Sequence, residues 1–284
     1  MAEQWRFVEP RNLVPEAVVS AVGYRSELPE PVAHLGLPSP AVTFVLTFDE
    51  PVVSGFCERG TDARSASIVL GGLHTRPAHL LQPRVQTGIQ LAVRPLAVRA
   101  LLGAPAAELR EQAFDAREVL GPRIELLRER LAELPTWSQR FTALAEHLRS
   151  RTAEQPASPR PEVAEAWRWI AWHRGNGSMS ELARHVHLGE RQLNALFKAE
   201  VGLAPKALSR LMRFEHARRR IALAVRGGAR PDLSSVAHAC GYFDHSHLVR
   251  DFRQYAGTTP TTWIERELRN VQAAGAWANA DLAV

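Results

Sequence analysis

Cysteine is nearly absent from this sequence. Cys57 and Cys240 are the two in 284 residues, too few for a disulfide framework, and a reducing compartment would keep both as thiols. Long apolar runs are missing as well. None approaches the roughly 18 residues that a bilayer span requires, and the opening MAEQWRFVEPRN has no apolar signal-peptide core. The expected location is therefore the cytoplasm. The sequence also lacks GxSxG, HExxH, a Walker loop and a dinucleotide-binding glycine fingerprint, so no catalytic residue and no cofactor is assigned. His238, His245 and His247 lie close together but have no fourth residue at ligand spacing, so no metal is expected.

What is present is a charge asymmetry. The net charge is +5, but residues 160–270 hold 18 Lys and Arg against 11 Asp and Glu, whereas residues 1–159 are close to neutral. A phosphate backbone would attract the basic half. With 45% apolar residues the chain has enough material for two cores, and two domains are expected.

The first region, residues 1–151, reads as α+β. Strands are expected at Val42–Phe48, Ala66–Leu70 and Val85–Val93; in the last, alternation puts Val85, Thr87, Ile89, Leu91 and Val93 on one face and Gln86 and Gln90 on the other. The period then becomes helical at Leu96–Leu102, Ala106–Ala113, Ile124–Leu134 and Trp137–Arg149, with a capping box of Thr136 and Gln139 opening the last. Trp137 and Phe141, one turn apart, suit a core or a dimer seam. Residues 152–161 (TAEQPASPRP) contain three prolines and read as a linker of roughly 20–30 Å. Pro161 begins a helix through Trp167, Trp169 and Ile170 that stops near Gly175, and residues 271–284 form an Ala-rich tail.

Residues 162–270 read as all-helical and carry the clearest signal. In GYFDHSHLVRDFRQYAGTTPTTW, Gly241 supplies the turn after a short helix bearing Val236, Ala237 and Cys240. Asp244 is placed to cap a helix whose Leu248, Phe252 and Tyr255 recur at helical spacing, Gly257 ends it, and Thr259 with Pro260 starts another. A similar unit occurs upstream in SMSELARHVHLGERQLNALFKAEVGLAPK, with Leu182, Ala183, Val186, Leu188, Leu193, Leu196 and Phe197 as its apolar set. Between the two units, Pro205–Val225 carries one apolar stripe and should form a rod of roughly 28 Å, comparable with the roughly 34 Å turn of B-DNA. A single chain could then read a tandem site of roughly 16–20 base pairs.

These two segments resemble the DNA-binding domain of the AraC/XylS family of bacterial transcription regulators, and the resemblance covers about Glu162 to Arg269. It implies two helix-turn-helix units joined by a connecting helix. Its DNA-contacting positions fall on Arg191, Gln192, Asn194 and Lys198 in the first unit and on His245, Ser246, Arg250 and Arg253 in the second. Gly189 stands where the family more often has serine, which implies a weaker cap, and Ala195 stands where a longer polar residue can occur. Residues 1–151 would then sense an effector or dimerise.

Within that first region, GGLHTRPAHL places His74, Arg76 and His79 near a strand end, a group suited either to an anionic effector or to a loop that satisfies its own backbone. Arg218, Arg219 and Arg220 read as a solvated helix face. The function expected is a sequence-specific DNA-binding transcription regulator, with double-stranded DNA as partner and RNA polymerase, a small-molecule effector and a second copy of the chain as further candidates. Two other readings stand beside it: an enzyme-like first domain using His74 or His79 fused to a DNA-targeting module, and a ligand-free architectural protein whose first domain only dimerises.

Overall fold

A computed structural model describes residues 4–10, 13–109, 113–154 and 158–266. The tail read at 271–284, the far end of the resemblance and part of the linker lie outside the described residues. Ten strands come first: β1 Gln4–Val8, β2 Val18–Glu27, β3 Val32–Gly36, β4 Val42–Thr47, β5 Val52–Gly55, β6 Arg64–Ala66, β7 Ile68–Gly71, β8 Ala78–Gln82, β9 Val85–Val93 and, after the first helix, β10 Ala113–Asp115. They form a six-stranded sheet in the order β1-β2-β9-β4-β7-β10 and a four-stranded sheet in the order β3-β8-β5-β6. Every recorded strand pairing is antiparallel.

The six-stranded sheet is covered by helices on one face and in part by the smaller sheet on the other. Val45 and Val69 meet Val52, Ala66 and Leu80 of the smaller sheet. On the opposite face Phe44, Leu46, Leu70, Ile89 and Leu91 pack beneath helices α1 (Val98–Leu102), α3 (Arg123–Glu133) and α4 (Trp137–Glu154). The smaller sheet corrects the reading of β9 at Gln86, whereas Gln90 on the same face is exposed as expected. Gln86 was expected on a polar face, yet it is 3% exposed because that face looks toward the second sheet; its side-chain carbonyl accepts from Gln82 at 3.4 Å. The expected strand 66–70 is broken at Ser67 into β6 and β7, which belong to different sheets.

The helical expectations are met in part. Residues 95–97 form a 3-10 turn leading into α1. The segment read as Ala106–Ala113 is instead a 3-10 turn at Ala106–Leu109, with Ala113 starting β10 against β7; residues 110–112 lie outside the described residues. A short α2 (Ala116–Leu120) intervenes before α3. The capping box of α4 forms as expected, with the Gln139 amide donating to Thr136 Oγ1 and the Thr136 amide to Gln139 Oε1, both at 3.3 Å. Trp137 lies against Gly23, where an added Cβ would come within 2.5 Å of the indole, so this aromatic pair belongs to the core. Helix α4 continues to Glu154, into the stretch read as a linker.

The second region is helical: α5 Pro161–Trp172, α6 Met179–His185, α7 Glu190–Val201, α8 Pro205–Arg226, α9 Leu233–Ala239 and α10 His245–Ala256, followed by a helical segment over residues 260–266. Its core gathers Ile170, Leu182, Phe197, Leu208, Phe214, Ile221, Leu248, Phe252 and Tyr255. Leu73, from the loop after β7, is buried in this same core, and Leu37 and Leu96 pack against it, so the two regions share an apolar boundary. Among the described residues no helix is long and apolar enough to cross a membrane.

Candidate nucleic-acid interface

Local rules build each helix-turn-helix. In the first unit Ser178 Oγ accepts from the Glu181 amide at 3.2 Å while the Glu181 carboxylate accepts from the Ser178 amide at 3.3 Å, so α6 opens on a reciprocal cap. Leu182 and Ala183 of α6 and Leu193, Phe197 and Val201 of α7 face the core. That burial leaves Arg191, Gln192, Asn194 and Lys198 of α7 exposed. Gly189 occupies the N-cap without a side-chain bond, as expected of a residue with no side chain.

In the second unit Gly241 has φ +77°, and an added Cβ would lie 2.0 Å from Asn176 Oδ1. The turn therefore depends on glycine for its backbone angle and for the approach of the α5–α6 loop. Asp244 Oδ1 accepts from the His247 amide at 2.7 Å, and Gly257 closes α10 in the left-handed region at φ +64°. Thr259 Oγ1 accepts from the Thr262 amide at 3.3 Å, as expected of a cap before Pro260. Leu248, Asp251, Phe252 and Tyr255 point inward, whereas His245, Ser246, Arg250 and Arg253 are exposed. The Arg250 guanidinium donates to Ser246 O at 3.4 Å, a long bond that a base edge could replace.

The buried face of α10 carries a polar anchor that sequence reasoning missed. Asp251 is fully buried and accepts from Arg210 of α8 at 2.7 Å, while the same guanidinium reaches Gln254 at 2.9 Å. Such a charge-assisted pair fixes the rotation of α10 on α8, and with it the direction of Arg250. Burial and the neighbouring Asp251 carboxylate push the Tyr242 phenol far up, so it remains a neutral hydroxyl. The one sequence sign of this anchor was an acid at an apolar helical position; its partner lies 41 residues away, beyond any local pattern.

Helix α8 has 22 residues, or about 33 Å at 1.5 Å per residue, longer than the expected rod because it is helical from Pro205 onward and runs one residue past Val225. The arginine run on this helix is corrected in part. Arg218 and Arg219 both bind the buried Glu215 carboxylate, at 2.7 and 2.9 Å, and Arg220 alone is exposed. Burial by itself would raise the Glu215 carboxyl, but the two guanidiniums outweigh it and hold it below the usual range.

His74 and Arg76 come together over the Phe56 ring, at 5.2 Å for the imidazole and 5.3 Å for the guanidinium. His79 lies apart from that loop on β8, opposite Leu35 and Gly55. Because Leu73 of the same loop enters the helical core, this segment meets the DNA-binding half. A second bridge joins the halves: Arg99 of α1 donates to both carboxylate oxygens of Glu200, on the inner side of α7, at 3.1 and 2.7 Å. The spacing of Leu193, Phe197 and Glu200 placed that carboxylate on a buried face, but nothing in the sequence pointed to Arg99.

Residues 182–266 match a family model described as a helix-turn-helix domain. No curated protein matches the chain. Among solved structures, ToxT from Vibrio cholerae is similar over 93% of this chain and 97% of its own, at 7% identity and a TM-score of 0.49. The C-terminal domain of AraT, a response regulator from Geobacillus stearothermophilus, is similar over 39% of this chain and 88% of its own, at 19% identity and a TM-score of 0.35. The DNA-binding domain of AdpA, a global transcriptional factor solved with a target DNA, is similar over 37% and 91%, at 22% identity and a TM-score of 0.33. With both turns and the matched segment in agreement, residues 182–266 belong to the AraC-type helix-turn-helix domains.

Proposed function

We propose that this protein regulates transcription by reading a tandem DNA site, with α7 and α10 in successive major-groove segments and residues 1–151 as a sensing region. The observation that carries the reading is the pairing of two polar, exposed faces, Arg191–Gln192–Asn194–Lys198 and His245–Ser246–Arg250–Arg253, at units joined by a helix of about 33 Å. Arginine pairs bidentately with guanine and Asn or Gln with adenine, each contributing about 1–3 kcal/mol of discrimination. Arg253 and the α10 N-terminus lie nearer phosphate in this arrangement. The Phe243 ring, 93% exposed at the start of α10, is set to meet a sugar or a thymine methyl.

The sensing role rests on the shared boundary between the halves, where Leu73 and the Arg99–Glu200 pair tie the strand-rich region to a reading helix. A small molecule shifts such an arrangement only by its differential affinity for the two states. We propose a small molecule as the effector of this region. We place the protein in the cytoplasm with the DNA, as a regulator rather than an enzyme. RNA polymerase and a second copy of the chain stand as proposed partners.

The test is single-round transcription from a template bearing the chain's selected binding site. Added full-length protein should raise or lower transcript yield, and Arg250→Ala should weaken the effect, so that more protein is needed to reach it. Tight, specific binding with no change in yield would refute the regulator reading and favour an architectural role.

A further inference from the structure

A cavity of about 220 Å³ lies on the helix side of the six-stranded sheet. Its floor is apolar: Phe44 and Leu70 rise from β4 and β7, Val98 and Leu102 come from α1, and Leu148 from α4. The cavity is separate from the space between the two sheets, because Val45 and Val69 point there while Phe44 and Leu70 point to the helices. Its rim is polar and net basic, with Arg123, His147 and Arg151 against Glu154. Arg151 is held loosely: its Nη1 lies 3.7 Å from Glu154 and its Nε donates to Leu101 O of α1 at 3.2 Å. Burial and the adjacent Arg151 charge lower the His147 imidazole, leaving it neutral at pH 7 and able to donate or accept one bond.

Helix α1 has two faces. Val98, Leu101 and Leu102, at i, i+3 and i+4, line the cavity, while Arg99 points away and grips Glu200 of α7 with two bonds. A group drawn to Arg151 therefore acts on the carbonyl end of a helix whose other face holds the first reading helix. We propose that this cavity binds a small apolar acid, carboxylate toward Arg151, and that α1 relays its occupancy to α7 through Arg99 and Glu200. This rests on the regulator reading for its DNA half; the ligand half stands on the cavity alone. The space, on the order of seven water volumes, suits a compact ring or a short chain.

The experiment uses the full chain, with octanoate and cyclohexanecarboxylate as probes and 1-octanol and cyclohexanemethanol as their neutral counterparts. Calorimetric titration should show saturable binding of at least one acid, about tenfold or more tighter than its alcohol. Arg151→Gln should remove that preference, and Leu102→Trp should block both acid and alcohol, with thermal melts confirming that each variant is folded. DNA affinity should change at least about fivefold with bound acid. Arg99→Gln should bind the acid as the parent does and lose that change. No saturable binding of either acid, an alcohol that binds as tightly, or acid binding indifferent to Arg151→Gln would overturn the ligand assignment. An unchanged DNA affinity, or a change that survives Arg99→Gln, would overturn the relay. A chain that binds the acid but no DNA would instead overturn the regulator reading beneath it.

Discussion

Arg250 and Gly241 show how differently two neighbouring residues in one motif can act. Arg250 is exposed and loosely bonded to its own helix, so its removal should leave stability unchanged. Arg250→Ala should relax discrimination at one or two base pairs by about 1–3 kcal/mol, read as lost definition in a selected binding-site motif at fixed salt; an unchanged motif would contradict the assignment. Gly241 has the opposite character. Its left-handed backbone and its contact with Asn176 make Gly241→Ala destabilising by about 1–2 kcal/mol, measurable by chemical denaturation, and a neutral result would show that the turn can relax. Both residues were legible in the sequence, because turn chemistry and helical spacing are local. Gln86 was not: its burial depends on a second sheet covering a face that alternation alone marks as polar.

Among the elements, the two helices proposed to read DNA begin differently. Asp244 caps α10 through a 2.7 Å bond, while Gly189 gives α7 no side-chain acceptor. An added Cβ at Gly189 meets nothing within 4 Å, so Gly189→Ser should fit and stabilise by a few tenths of a kcal/mol; Asp244→Ala should cost about 1 kcal/mol. Opposite shifts in the denaturation midpoint would support the capping account, and a destabilising Gly189→Ser would oppose it. The Arg210–Asp251 pair predicts a larger effect. Asp251→Ala strands a guanidinium in a partly buried site and removes the anchor of α10, with an expected loss of about 3–5 kcal/mol; a loss below about 1 kcal/mol would show that packing alone sets the helix. The helices themselves were readable, since periodicity and caps mark them. Their mutual anchors were not, because Arg210 and Asp251, like Arg99 and Glu200, are brought together only by the fold. The strands were legible where they alternate alone, as in β9, and obscured where one apolar run serves two sheets, as at residues 64–71.

Across the molecule, half-buried histidines and the buried Glu215 set the response to pH. Burial lowers His34, and burial with nearby arginines lowers His147 and His216, all from an ordinary value of 6.5. The folded state thus binds fewer protons than the unfolded state as pH falls below about 6.5, and stability declines from there. The depressed Glu215 carboxyl adds stability above its ordinary 4.5 that is lost as pH falls through its lower folded value. The melting temperature should hold between about pH 7 and 8 and drop progressively below about 6.5; a flat profile down to pH 5 would contradict this burial. The basic half, read from sequence as a charge excess, carries two exposed polar faces on one folded unit tied to the strand-rich region by Leu73 and Arg99. One chain is proposed to read two adjacent DNA segments. This proposal is tested most directly by selecting bound duplexes from a random pool with full-length protein at fixed salt, beside Arg191→Ala and Arg250→Ala. A motif with two elements about ten base pairs apart is expected, each variant blurring a different one. A single element, or a loss of both elements with either variant, would contradict it.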